Sequence, residues 1–563
     1  MKKKMEKVSV GTYLGLRLVQ AGLQDFFTVP GDFTLSLLDQ LLKVPSLRMI
    51  SCCNELNAGY AADGYARTAG FSAAVVTYTV GGLSLLNSVA GAYAEDLSLL
   101  AISGGPNTND APEHHRIHHT IGELDFYQAE QCYAPVVAAV FNIRHLEDAA
   151  WMIDEAISTC LSKKKPVYLE IACNLAGLEI AGPTSMQLPA IAKRSNPKSL
   201  AAAVEFAANR FNTAIKPVLV AGVKLRPSGA ADAFVVVANQ SGAAVAVAPD
   251  AKGIFPEDHS CFIGTYWSQI SSTGCSEVVE SSDCQVLVGV QQTDYTTTGW
   301  TAIYKMENSI VVGMDYVQLP EGRFSRVYMA DFLMALAQKI TKKDASIKEY
   351  QRNKVEFMAT PELAPGEKLT LREIRRQIQM VITGNSSLIL ETGDSWFNGQ
   401  SMHLPHGAKY HVQMQYGSIG WSVGATLGVA LASDPETRVI SLIGDGSLQL
   451  TVQELSTMIR YEVNPIIFLM NNLGYTIERE IHDGPYNKIK NWAYADLINV
   501  FNAADGKGIG IRAETAGELA AAIKLAHSHQ GGPVLIECSL SRDDCSKELL
   551  EWGSHVAQAN ARL

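Results

Sequence analysis

No C-x-x-C pair occurs among the ten cysteines, and the closest two are the adjacent Cys52-Cys53. That spacing offers neither a zinc ribbon nor a thioredoxin-type dithiol. Scattered cysteines in so long a chain predict free thiols, mostly packed as small hydrophobes. No apolar run reaches the roughly 20 residues that a membrane-spanning helix needs. Met1 to Lys7 is basic, but no apolar stretch follows it, so no secretory signal is expected. Low-complexity tracts and short repeats are lacking too. Positive charge is in deficit: 46 Lys and Arg stand against 57 Asp and Glu, a formal net charge of −11. That balance argues against nucleic acid as a main partner. These absences predict a cytoplasmic protein without a membrane partner. What is present is a globular composition, 47% hydrophobic and 18% charged over 563 residues. The length exceeds one ordinary core and predicts several domains.

Strand-like and helix-like segments alternate through three regions. In the first, Phe26 to Val29, Arg48 to Cys53, Ala73 to Thr79, Leu99 to Ser103 and Pro166 to Ile171 read as strands, and Gly11 to Ala21 as a helix. In the second, Pro217 to Gly222, Ala243 to Ala248, Gln285 to Val290 and Ile310 to Met314 are strand-like. The third opens with a helix, Leu371 to Thr383, and a strand, Ser387 to Leu390. Linkers are expected at Met186 to Ser199 and Phe357 to Lys368. The expected fold is α/β, with three doubly wound, mostly parallel-sheet domains at 1–185, 186–360 and 361–563.

The most informative stretch runs from Arg438 to Glu478. Val439-Ile440-Ser441-Leu442-Ile443 breaks at Gly444-Asp445-Gly446-Ser447. A helical pattern follows, with Leu448, Val452, Leu455, Met458 and Ile459 on one face, ending at Asn464-Pro465. Ile466-Ile467-Phe468-Leu469-Met470 then breaks at Asn471-Asn472-Leu473-Gly474. Two apolar runs joined by a helix predict adjacent parallel strands with their C-terminal ends on one edge. Asp445 and Asn472 then lie side by side. A carboxylate, an amide oxygen and the carbonyl at Gly474 suit Mg²⁺, which prefers oxygen ligands and keeps positions for phosphates. Glycines and a helix start beside them suit an anion. The expected guest is a Mg²⁺-bound diphosphate. Each dipeptide alone also reads as an ordinary turn; both together at two linked strand ends favour the site.

Gly444-Asp445-Gly446-Ser447 through Asn471-Asn472 resembles the thiamine diphosphate signature. Gly474-Tyr475-Thr476-Ile477-Glu478 and Ile481-His482-Asp483-Gly484-Pro485-Tyr486-Asn487 resemble the 2-oxo acid decarboxylase branch of that family. The resemblance spans about Val10 to Arg562. It implies a pyrimidine-binding N-terminal domain, a middle domain without cofactor and a diphosphate-binding C-terminal domain. It also implies self-association as dimers or tetramers, with sites shared between subunits.

Glu55, in Cys52-Cys53-Asn54-Glu55-Leu56-Asn57-Ala58-Gly59, matches the family's activating glutamate, which hydrogen-bonds the aminopyrimidine. The plain reading is a carboxylate at a helix start. Asp32 in Val29-Pro30-Gly31-Asp32 and the pair His118-His119 match a proton-transfer group. His114 and His115 precede that pair; in a helix they would make two i, i+4 histidine pairs, a spacing that suits a transition metal, but no third ligand is evident. By resemblance, Thr392, Gly393, Asp394, Gly446, Ser447, Asn472, Tyr475, Thr476 and Ile477 help hold the cofactor. The Gly417 carbonyl accepts from its amino group, and Ile419 bends it. Asp445, Asn472 and Gly474 hold the metal. Glu478 faces the substrate carboxylate. Tyr295, Trp396 and Ile477 bound the substrate pocket. Tyr416 and Ser418 stand where many relatives carry larger residues.

The resemblance implies non-oxidative decarboxylation of a 2-oxo acid, foremost pyruvate to acetaldehyde and CO₂, through a thiamine carbanion and an enamine. The alternatives are larger 2-oxo acids such as indolepyruvate or branched-chain acids, a carboligase resembling acetolactate synthase, and a non-catalytic cofactor-binding assembly protein. Some fungal relatives are activated by substrate through a middle-domain cysteine. The matching region here reads Ala221-Gly222-Val223, so hyperbolic kinetics are expected.

Overall fold

The computed structural model describes residues 7–183, 193–354 and 361–561. They form three sheets of six, seven and six strands, flanked by helices, and a two-stranded ribbon of Lys7–Ser9 with Glu179–Ala181.

The N-terminal sheet uses Asp25–Thr28, Arg48–Ser51, Ser72–Val76, Leu99–Gly105, Val140–Ile143 and Val167–Ala172. The C-terminal sheet uses Ser386–Leu390, Lys409–Val412, Arg438–Gly444, Ile466–Asn471, Ile509–Ala513 and Val534–Ser539. Both are wholly parallel. In chain order both run second, first, third, fourth, sixth, fifth across the sheet. Central strands such as Ile466–Asn471 are buried throughout, which is why they read as unbroken apolar runs. In each sheet the crossovers leave the first strand in opposite directions, so a crevice opens at the C-terminal ends of strands one and three. That crevice lies beside Gly31-Asp32 in one domain and beside Thr392-Gly393 and Gly444-Asp445 in the other.

The middle sheet differs. Its strands Pro217–Ala221, Ala244–Val247, Phe262–Thr265, Cys284–Val288 and Ser309–Val312 are parallel, in the order third, second, first, fourth, fifth. Tyr316–Leu319 and Gly322–Ser325 extend it as an antiparallel hairpin. At its own switch point the chain closes on itself: a Cβ on Gly222 would lie 2.2 Å from the Gly289 carbonyl oxygen.

Three expectations change. The single helix expected after Ser447 is two, Asp445–Thr451 and Glu454–Arg460, broken at Val452-Gln453. Leu448, Leu455 and Met458 still enter one core, so the apolar spacing survives the break in the axis. The first linker ends early, because Asn196 caps a helix, Pro197–Thr213, by accepting from Lys198 and Ser199 N–H. Its residues 186–192 lie outside the described residues, as do 357–360 of the second. The histidine segment is not helical, so His114 and His115 do not stack on His118 and His119 at helical spacing.

The first and third domains join through two helices, Glu55–Ala69 and Trp421–Ala432. Small residues line the contact: a Cβ on Gly428 would sit 1.8 Å from the Ala61 carbonyl oxygen, and one on Gly64 would sit 2.3 Å from that of Ala425. Buried Asp63 accepts from Arg67 Nε at 2.7 Å and Trp421 Nε1 at 2.8 Å. Arg67 also donates to the Val412 carbonyl at 2.7 Å.

Candidate active site

The parallel register sets Gly444 opposite Met470. Asp445 and Asn472 therefore emerge on one sheet edge, and both line a single cleft. Thr392, Gly393, Asp394, Ile419, Gly446, Ser447, Gly474, Tyr475, Thr476 and Ile477 line it with them. Every lining residue falls between Leu371 and Leu540.

Asp445 is buried. Its Oδ1 accepts from Gly446 N–H at 2.7 Å and its Oδ2 from Gly474 N–H at 3.1 Å. Burial pushes its carboxyl up to about 6 against those bonds. A cation beside it would reverse that shift. The turn below is tight: Leu473 has φ +67° and Gly474 φ +143°, and a Cβ on Gly474 would lie 2.4 Å from the Asn487 carbonyl oxygen. Glycine is required there, and its backbone carbonyl stays unshielded by a side chain. A carboxylate, an amide and a carbonyl, all oxygen donors, fit Mg²⁺. Thr476 Oγ1 is buried with no hydrogen-bond partner in the chain, which fits a polar guest in the cleft.

Asp394 opens the helix Asp394–Gln400 and is tied down by Ser546, whose N–H donates at 3.0 Å and whose hydroxyl also donates. Burial pushes its carboxyl up to about 6.

Gly417 and Ile419 sit on a loop held from two sides. Buried Glu391 accepts from Thr392 N–H at 2.8 Å, Gly420 N–H at 3.2 Å, and Ser422 N–H and hydroxyl at 3.1 and 2.5 Å. From the N-terminal domain, Tyr60 bonds Ser418 and Asn87 accepts from Tyr416. Those contacts resolve the packing at Tyr416 and Ser418. Glu391 carries no signal in the sequence, because a strand-end acid facing a motif 29 residues on leaves no local signature.

Trp396 is fully buried behind the cleft, 5.8 Å ring to ring from Tyr295. Tyr295 comes from the middle domain, and its carbonyl accepts from Trp267 and Trp552. Burial raises its hydroxyl pKa, and the charges of Asp294 and Glu478 add to that. Glu478 is exposed on the first turn of Thr476–Ile481.

A second group stands apart, on the N-terminal domain. Asp32 Oδ2 lies 2.7 Å from His118 Nε2, and Oδ1 lies 3.6 Å from His119 Nε2. His115 turns instead to Asp110 and Glu113, at 3.4 and 3.2 Å. The histidine loop is tethered at its far end by Arg144, which donates to the Phe126 carbonyl at 3.4 Å and lies 4.5 Å over the Tyr127 ring. Arg144 is itself held by Glu130 and Glu170 at 3.5 and 3.7 Å. Glu55 begins its helix half-buried, beside Gly81. Neither Glu55 nor the Asp32 group lines the cleft of its own chain.

The cleft, lined by oxygen donors for a metal and by glycines at a helix start for an anion, has the architecture of the thiamine diphosphate class. Family models agree across the chain. Residues 8–129 match the thiamine pyrophosphate enzyme N-terminal TPP binding domain, 204–335 the central domain and 392–538 the C-terminal TPP binding domain. The chain is 49% identical over 560 residues to pyruvate decarboxylase 3 of Arabidopsis thaliana, covering 98% of this chain and 94% of that one. It is 47% identical over 557 residues to pyruvate decarboxylase of Neurospora crassa, covering 99% and 97%. With pyruvate decarboxylase 1 of Pisum sativum it shares 48% over 560 residues, 98% and 94% covered. The chain belongs to the pyruvate decarboxylase family of thiamine diphosphate enzymes.

Proposed function

We propose that the protein converts pyruvate to acetaldehyde and CO₂ without oxidation, using thiamine diphosphate and Mg²⁺. The observation that carries this is the convergence of Asp445, Asn472 and Gly474 on the cleft that the family model for cofactor binding covers. When bound, the cofactor supplies the nucleophilic carbon and the electron sink for loss of CO₂. The chain does the rest. Asp445, Asn472 and the Gly474 carbonyl hold the cation. Thr392, Gly393, Asp394, Gly446, Ser447, Tyr475 and Thr476 hold the diphosphate end. Ile419 supports the bend, and the Gly417 carbonyl and Glu55 bind the aminopyrimidine. Asp32, His118, His119 and Glu478 move protons, and Tyr295, Trp396 and Ile477 bound the substrate.

The domains are placed at 1–185, 186–360 and 361–563, a division that the three separate sheets support. Glu55 and the Asp32 group do not line the cleft of their own chain, which supports a site completed by a second copy. Exposed apolar residues support such docking: Ile121 and Leu124 on the histidine loop, Leu450 and Leu473 near the cleft. The assembly is a dimer or a pair of dimers. No described helix is long and apolar enough to cross a membrane.

The rival substrates are larger 2-oxo acids, and the rival reaction is carboligation with a flavin. The close backbone approach of Gly222 to Gly289 narrows the middle-domain crevice, which weighs against a flavin there. Product analysis of purified protein with several 2-oxo acids, with and without cofactor and Mg²⁺, decides. Acetaldehyde from pyruvate, dependent on both additions, is expected. A condensation product as the main species would overturn the proposal.

A further inference from the structure

We propose that Asp32, His118 and His119 form a binding site for a borderline divalent transition cation such as Zn²⁺, and that its occupancy stops turnover. The inhibitory part rests on the proton-transfer role given to these residues above; the binding part does not.

One oxygen and two imidazole nitrogens lie within 4.8 Å of one another. Two histidines and a carboxylate, with remaining positions open to water, is a common ligand set for Zn²⁺ in sites that are not closed. The two nitrogens face different oxygens of one carboxylate, at 2.7 and 3.6 Å, so a shared ion needs small adjustments only. The ligands are held in place beforehand. Phe33 lies 5.0 Å from the His118 ring and 6.0 Å from the His119 ring. The Thr120 hydroxyl closes the turn by donating to the Ile117 carbonyl at 2.9 Å.

Ligand chemistry separates this site from the cofactor's cation. Imidazole nitrogen suits Zn²⁺, while Mg²⁺ prefers the all-oxygen set at Asp445. Bound metal would occupy the imidazole lone pairs and neutralise Asp32, so none of the three groups would exchange a proton. His115, turned to Asp110 and Glu113, is a nearby histidine with acidic neighbours and serves as the internal control.

The test is calorimetric titration of Zn²⁺ into holoenzyme kept in excess Mg²⁺ and thiamine diphosphate. We expect one site per chain, weakened about tenfold or more in each of Asp32→Asn, His118→Ala and His119→Ala, and kept in His115→Ala. Inhibition should titrate with the same constant and reverse with a zinc-selective chelator. Equal Zn²⁺ affinity in the wild type and the three variants would overturn the site, as would loss confined to His115→Ala; the Asp32–histidine contacts would then be side-chain contacts alone. Turnover of His119→Ala without Zn²⁺ tests the proton-transfer reading separately: full activity would remove that reading while a variant-sensitive Zn²⁺ site stood.

Discussion

Removing the Glu391 side chain should cost both stability and cofactor affinity. Glu391 is fully buried and gathers four donors from Thr392, Gly420 and Ser422. In Glu391→Ala all four lose their acceptor and a cavity remains; each buried donor left unsatisfied costs about 1–3 kcal/mol. Glu391→Gln is milder. Its amide oxygen can keep the three bonds made by Oε2, leaving only Thr392 N–H facing an NH₂ group, a cost of about 1–3 kcal/mol. Gly420 follows Ile419 and Ser422 stands two residues beyond Gly420, so loosening them frees the loop that carries Gly417 and Ile419. Each 1.4 kcal/mol lost in pre-ordering that loop weakens thiamine diphosphate about tenfold. Urea midpoints and calorimetric cofactor affinities should fall in the order wild type, Gln, Ala. A Glu391→Ala variant with an unchanged midpoint and unchanged affinity would refute the reasoning.

The raised Asp445 carboxyl makes cation binding pH-dependent. Its folded value of about 6 exceeds the ordinary 3.8, so without a cation its stabilising contribution is full below 3.8 and lost as pH rises through about 6. Binding Mg²⁺ must displace that proton, so affinity should rise up to about tenfold per pH unit towards pH 6 and level off above; a flat calorimetric profile from pH 5 to 7 would contradict this. Ile477→Ala should raise activity on longer 2-oxo acids relative to pyruvate, because each methylene in such a pocket is worth about 1–3 kcal/mol. An unchanged ratio across a substrate panel would show that Ile477 does not set the pocket size. Arg144→Ala should free the end of the histidine loop, lowering kcat severalfold with little change in cofactor affinity and partial rescue by Arg144→Lys. A fall in cofactor affinity with kcat intact would point elsewhere.

Legibility in the sequence followed burial. Strands covered on both faces, such as Ile466–Asn471, stood out as apolar runs. Two edge strands do not: Val140–Ile143 and Ile509–Ala513 are only partly buried, so their apolar patterns are diluted, whereas the edge strand Arg48–Ser51 is legible despite similar exposure. Asp445 and Asn472 were readable because sheet topology alone brings their turns together. Asp32 and the two histidines are grouped only through the family resemblance, since their contact depends on a loop without helix or strand. A helix-based pairing of the four histidines fails for the same reason. Glu391 went unassigned because its partners lie across a turn that no periodicity announces.

The seam where Gly428 meets Ala61 and Gly64 meets Ala425 has a mechanical consequence. Two backbones touching without intervening side chains have no slack to slide or rock, so the outer lobes of one chain behave as a single stiff body. Admission of substrate and escape of product then fall to short surface segments near the slot, and added bulk at these glycines would wedge the lobes apart.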